Sequence, residues 1–223
     1  MKLSAHTLRI LKNFATIHGN LLVTPGSVIK TIAEAKVIMA EATITETFTV
    51  PFGIYDLGQF LATIDMLSDP DLSFGQTAVT ISSGKSKSTY RYAASSSLTT
   101  VEKPINMPTP TFTVTVPSDA MDQIRKAASV FGCPMMAITG DGSGEICLTV
   151  INPKNPSSNT FSVTLDEDNE YKGTFCAQFP MTNVKILPGD YTVEVSSKCI
   201  SAWTSTSIPV KYHIALEKTS TFS

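Results

Sequence analysis

The chain says the same thing twice, half its length apart. Leu8-x-x-Leu11-x-x-x-Ala15-Thr16-Ile17-x-Gly19 recurs as Met121-x-x-Ile124-x-x-x-Ala128-Ser129-Val130-x-Gly132. Further on, Val79-Thr80-Ile81-Ser82-Ser83 has a counterpart in Val193-Glu194-Val195-Ser196-Ser197. A repeat spanning half of 223 residues means two like domains, because a solenoid repeats over far shorter periods. Each half is long enough to bury a core of its own. Two copies of one fold suit a geometric task, such as building a ring or a frame.

Each copy opens on an amphipathic helix. At about 100° per residue, Leu3, Leu8, Ile10, Leu11, Phe14, Ala15 and Ile17 share one side. Lys2, His6, Arg9, Lys12, Asn13 and Thr16 fill the opposite arc, and Ser4 is placed to cap the helix. The second helix follows Pro117, with Ser118 as the expected cap and Asp119 and Asp122 at the positive end of its dipole. Met121, Ile124, Ala127, Ala128 and Phe131 form its apolar face; Asp122, Arg125, Lys126 and Ser129 point away.

The remainder reads as β-structure. Strands are expected at 20–24, 27–32, 37–44, 48–52, 78–82 and 88–94, and again at 135–139, 144–151, 160–165, 174–179, 191–196 and 210–216. Residues 54–67 have helical spacing, and 181–187 is a shorter helical segment at the same place in the second copy, stopped by Pro188-Gly189. Residues 95–116 stand apart: Ser95-Ser96-Ser97 opens them and Pro104, Pro108 and Pro110 stiffen them. The expected domains are 1–97 and 116–223, joined by a linker at 98–115.

Residues fitted for chemistry are scarce. Gly84-Lys85-Ser86 resembles the end of a P-loop, but Val79 stands where the first glycine belongs, so a hairpin turn is expected. Gly140-x-Gly142-x-Gly144 is not followed by a helical segment, which argues against a dinucleotide site. His6, His18 and His213 lie in three unrelated contexts, and no Gly-x-Ser-x-Gly elbow is present. Cys133, Cys147, Cys176 and Cys199 are too far apart for a zinc knuckle. No catalytic residue, metal or cofactor is therefore expected, and the acidic run at 166–170 reads as a solvated loop. Met1-Lys2 leads straight into the first helix, and no stretch approaches a membrane span. The expectation is a cytosolic protein with reduced, mostly buried thiols; an oxidising compartment would instead permit disulfides.

Net charge is −2, so nothing global calls for nucleic acid. Locally the balance differs, for residues 2–18 carry Lys2, Arg9 and Lys12 and no acid. A basic helix face recurs in both copies, as Arg9 and Lys12 and then as Arg125 and Lys126. Closed into a ring, such faces would form a positive lining that attracts phosphate without reading bases.

An ordered set of segments resembles the sliding clamps of T-even-type phages. It comprises Met1-Lys2-Leu3-Ser4 with Ile10-Leu11-Lys12-Asn13-Phe14-Ala15, Tyr55-Asp56-Leu57-x-x-Phe60-Leu61 with Ser68-Asp69, Met181-x-Asn183-x-Lys185-Ile186-x-Pro188-Gly189-Asp190-Tyr191, and Tyr212-x-Ile214-Ala215-Leu216-Glu217. The similarity runs end to end and is weakest at 85–117 and 150–175. It implies an α+β fold: two tandem clamp domains, with antiparallel sheets outside and helices lining a ring, akin to proliferating cell nuclear antigen. It implies a non-enzymatic processivity factor in the cytoplasm of an infected bacterium. The implied partners are encircled duplex DNA, the phage DNA polymerase, an ATP-driven clamp loader and two further copies of the chain, with no membrane.

The same resemblance implies where the surfaces lie. Lys2, Arg9, Lys12, Arg125 and Lys126 would face DNA, with Asp122 offsetting part of the second helix. Residues 87–94 would pair with 160–166 of a neighbour, placing Tyr90, Tyr92, Phe161 and Val163 at the trimer interface. A groove for a short apolar peptide would lie between linker residues Ile105, Met107 and Pro108 and the last strand. That strand offers either Tyr212, Ile214 and Leu216 or, on the opposite face, His213 and Ala215; the first set reads equally well as plain sheet core. Two rivals share the composition. A β-rich phage head or tail protein built by duplication predicts assemblies not limited to three subunits. A hydrolase predicts titratable groups clustered in a pocket.

Overall fold

The computed structural model describes residues 1–101, 105–155 and 157–223. Pro104, one of the prolines assigned to the linker, lies outside the described residues. The chain divides into two compact units, Met1–Pro104 and Ile105–Ser223.

The first unit opens on α1 (Ala5–Ile17), which buries Thr7, Ile10, Leu11, Phe14 and Ile17. Ser4 caps it, its hydroxyl accepting from the Thr7 amide at 3.1 Å. Then come β1 (Leu21–Val23), β2 (Gly26–Ile32), β3 (Ile38–Phe48) and β4 (Phe52–Ile54). β1 pairs antiparallel with β4, and β2 with β3 through a bulge between Gly26 and Val28. The strand expected at 37–44 thus runs on to Phe48 as the long β3, whereas of the strand expected at 48–52 only its ends are strand, Phe48 in β3 and Phe52 in β4. α2 (Leu57–Asp65) follows, capped by Asp56, whose carboxylate accepts from the Gln59 amide at 2.8 Å. β5 (Asp71–Phe74), β6 (Ala78–Ser83) and β7 (Ser86–Arg91) form an antiparallel meander. Gly84 turns the last hairpin at φ +57°, so Gly84-Lys85-Ser86 is a turn as expected.

The second unit starts with β8 (Phe112–Val116), which occupies residues assigned to the linker. Its alternating burial, with Phe112, Val114 and Val116 inward, is the period of a half-buried strand. α3 (Ser118–Phe131) ends at Gly132, left-handed at φ +64°. Ser118 does not cap α3: it is the first helical residue, and its amide donates to Asp190 Oδ1 at 2.8 Å. A carboxylate from a distant loop thus satisfies the donor that a local cap would have taken. β9 (Met135–Asp141), β10 (Ile146–Ile151), β11 (Phe161–Asp166) and β12 (Thr174–Pro180) form a sheet ordered β11-β10-β9-β12. Gly140 makes room there for Phe175, whose ring would lie 2.3 Å from an added Cβ. The helical segment expected at 181–187 shrinks to a 3-10 turn at Met181–Asn183. β13 (Tyr191–Ser196), β14 (Ile200–Ser205) and β15 (Val210–Ala215) follow, with β13 paired to both β8 and β14. The terminal β16 (Thr221–Phe222) pairs with β12. Trp203 is fully buried where the two sheets meet, edge-on to Phe179 at 5.8 Å and to Tyr191 at 6.2 Å.

Helix, four strands, a helical turn and three strands succeed one another in the same order in both units. That order moves one of the sequence correspondences. Val79–Ser83 lies in β6, the second strand after α2, whereas Val193–Ser197 begins in β13, the first strand after the 3-10 turn. The backbone agrees, since Leu72 of β5 bonds Met1 ahead of α1 as β13 bonds β8 ahead of α3. β5 is therefore the equivalent of β13, and the short Val-x-Ile/Val-Ser-Ser match joins two strands that are not equivalent in element order.

Candidate nucleic-acid interface

The cations of α1 sit on its solvated side because the apolar side is packed against β3 and α2. One carboxylate fixes the start of that helix. Glu46 of β3 accepts from the Ser4 amide and from the Thr7 hydroxyl. Burial would raise the Glu46 pKa, but these hydrogen bonds outweigh it and hold the carboxyl below its ordinary range.

Lys2, Arg9 and Lys12 are exposed. Their setting is not the acid-free one that residues 2–18 suggested. Lys12 Nζ lies 2.9 Å from Asp65 Oδ2, and Lys2 Nζ bonds Asp69. That hydrogen bond is the main reason the Lys2 pKa rises above its usual value. On α3, Lys126 is exposed, with no ion pair among the described residues. Arg125 departs from the expected outward position: it is half-buried, and its Nη2 donates to the Ile186 carbonyl at 3.5 Å.

Among the described residues β7 is bonded only to β6, and β11 only to β10, so both strands expected at a subunit interface are edges of their sheets there. Tyr90 and Tyr92, however, direct their rings into their own unit. Tyr90 meets Phe60 at 5.2 Å and its hydroxyl donates to the Asp56 carbonyl at 3.0 Å; Tyr92 stacks on Phe52 at 5.3 Å. Phe161 and Val163 are half-buried.

Ile105, Met107 and Pro108 are half-buried in the second unit. Tyr212, Ile214 and Leu216 are 0, 0 and 7% exposed. The three are sheet core, as one of the two readings had it, and present no surface to a partner. Tyr212 is committed further, its hydroxyl accepting from the Leu187 amide at 3.2 Å. His213 on the opposite face is buried too, leaving Ala215 half-exposed.

The acidic run is a hydrogen-bonded loop. Asp166 accepts from the Asp168 amide at 3.1 Å and from Asn169 Nδ2 at 2.9 Å, and Lys172 pairs with Asp168. All four cysteines are free thiols, and only Cys133 is buried; burial pushes the Cys147 and Cys176 thiols up. Among the described residues no helix is long and apolar enough to cross a membrane.

Over 229 aligned residues the chain is 31% identical to the sliding clamp of Escherichia phage RB69, covering 99% of both chains. This chain belongs to the sliding clamp family. It is also 29% identical to the sliding clamp of Vibrio phage KVP40 over 225 residues, covering 97% of this clamp and 99% of that one. No family model matches it. Solved structures agree on the fold. Proliferating cell nuclear antigen from Entamoeba histolytica superposes with a TM-score of 0.69 at 15% identity, over 97% of each chain. The A. fulgidus homologue, solved with the C-terminal region of FEN-1 bound, gives 0.71 at 10% identity over 94% of each. This clamp therefore has the two-domain antiparallel α+β architecture of the replication clamps, and a duplicated phage shell or tail protein is not favoured.

Proposed function

We infer that this clamp works by topology: a ring of three chains encircles duplex DNA and tethers the phage DNA polymerase to its template. Encirclement keeps the polymerase near the primer end at high effective concentration, without a tight contact that would stop sliding. The observation that carries this reading is the full-length relationship to phage sliding clamps. Two strand edges support the ring: β7 in the first domain and β11 in the second lack a second bonded neighbour among the described residues. An open edge invites pairing with another chain, and a head-to-tail pairing that closes makes a ring. In this ring Met1–Pro104 and Ile105–Ser223 are the two clamp domains, and the join falls ahead of β8 rather than running to residue 115.

Lys2 just ahead of α1, Arg9 and Lys12 on α1, and Arg125 and Lys126 on α3 face the DNA, the other sides of both helices being packed. An ATP-driven loader opens and closes the ring, and the clamp itself catalyses nothing. The peptide groove rests on Ile105, Met107 and Pro108, because β15 has its apolar face buried. The deciding experiment is the molar mass by light scattering, with and without nicked circular DNA. Three chains of 24.0 kDa give about 72 kDa. A monomer or dimer at tens of micromolar would refute the ring.

A further inference from the structure

We propose that Asp65 and Asp69 are built-in counter-charges that weaken the grip of Lys12 and Lys2 on the DNA backbone, so that the first domain slides rather than sticks. The inference rests on the reading that these lysines face DNA. Its motive is geometric. Both basic side chains of the α1 region that belong to lysine meet a carboxylate from the α2–β5 segment: Lys12 at 2.9 Å from Asp65, Lys2 hydrogen-bonded to Asp69. Lys2, Asp65 and Asp69 border a hollow whose floor is apolar, lined by Leu3, Leu8, Ile64, Leu67 and Leu72. The Lys2 stem has that floor to lie on, leaving its charged end to meet Asp69 at the surface.

The backbone disfavours one acid and is indifferent to the charge of the other. Asp65 is the last residue of α2, at the negative end of the helix dipole, where a carboxylate is disfavoured. Asp69 is left-handed at φ +50°, a conformation that Asn adopts at least as readily. Local folding therefore does not call for an acid at either position. All four groups are about half exposed or more, so the pairs add little to stability and exchange readily. A phosphate that takes either lysine must displace its carboxylate, and the acid left beside it repels the phosphate. The net electrostatic attraction is then close to nothing. The second domain lacks this device at Lys126, which is exposed with no ion pair among the described residues.

The test uses the full-length clamp, a labelled duplex oligonucleotide and a salt series. Asp65→Asn and Asp69→Asn, alone and together, should melt like wild type and bind the duplex more tightly. The slope of log affinity against log salt should steepen by about 0.9 for each lysine freed to neutralise a phosphate. In a Lys12→Gln background Asp65→Asn should change nothing, and likewise Asp69→Asn in Lys2→Gln. If the Asn variants leave the slope unchanged while Lys→Gln flattens it, the counter-charge proposal fails and the DNA-facing reading stands. A steeper slope that persists in the Lys→Gln backgrounds also overturns it, because the acids would then act without their lysines. If neither set moves the slope, the DNA-facing reading itself fails. Should one Asn variant not fold, the other pair carries the same test.

Discussion

Glu46 ties the first turn of α1 to β3 through a single carboxylate, accepting from one amide and one hydroxyl. Its pKa is lowered in the folded protein, so its contribution is present above the ordinary glutamate range, about pH 4.3, and disappears as pH falls through the lower folded value. Glu46→Gln should cost about 1.5 kcal/mol at neutral pH, the low end for a hydrogen bond to a charged group, since the site is only half-buried. The difference in melting temperature between the two proteins should close in acid; a gap that stays constant with pH would mean the charge is irrelevant. Met107 poses a different question, because a half-buried methionine outside any strand has no large core duty. Met107→Glu should leave the oligomer intact and weaken binding of a polymerase C-terminal peptide by about 1–3 kcal/mol. Unchanged affinity by titration calorimetry would remove this residue from the groove, and with it most of the groove's support.

At the scale of elements, the two edge strands carry the next prediction. Val163 is half-buried on β11, whose far side has no bonded strand among the described residues. Val163→Glu puts a charge beside the pairing edge and should shift the clamp toward a 24.0-kDa species by light scattering, with its circular dichroism preserved. A trimer that persists would place the interface elsewhere. Elements were legible where one residue pattern dominated. α1 showed itself because Ile10, Leu11, Phe14 and Ile17 recur at helical spacing behind a serine cap. β8 was hidden because Phe112, Val114 and Val116 alternate with threonines just after a proline-rich stretch, so linker composition masked a strand. β14 was hidden because Ser201 and Ala202 are small, although both are as fully buried as Trp203, whose indole donates to Ser201 Oγ at 3.0 Å. The site was half legible for a similar reason. Spacing put the cations on outward helix faces, but their acids come from residues 65–69, a proximity that only the folded packing of α1 on α2 creates.

For the whole molecule, holding DNA and gripping it are separate properties. Charge reversal probes the grip. A clamp with Arg9, Lys12 and Lys126 changed to Glu, and Arg125, which donates to the Ile186 carbonyl, changed to Gln, should fold normally, because the three reversed positions are exposed. It should nevertheless load poorly and support shorter synthesis, with the deficit against the unaltered clamp narrowing as salt rises, because the variant has fewer phosphate contacts for salt to weaken. Normal processivity would sink the basic-lining reading. Encirclement is probed by the ends of the DNA. A protein held only by phosphate contacts leaves any duplex when salt is raised, whatever the shape of that duplex. A closed ring stays on a nicked circle at the same salt, since no covalent path lets it off, and leaves once a restriction cut supplies an end. The measurement is gel filtration of labelled clamp loaded on a nicked plasmid, in high salt, before and after cutting. Co-elution with the circle followed by loss on cutting is the expected result. Loss from the intact circle would mean an electrostatic binder or a ring that opens freely, and retention after cutting would mean a tight static complex; either would end the topological account.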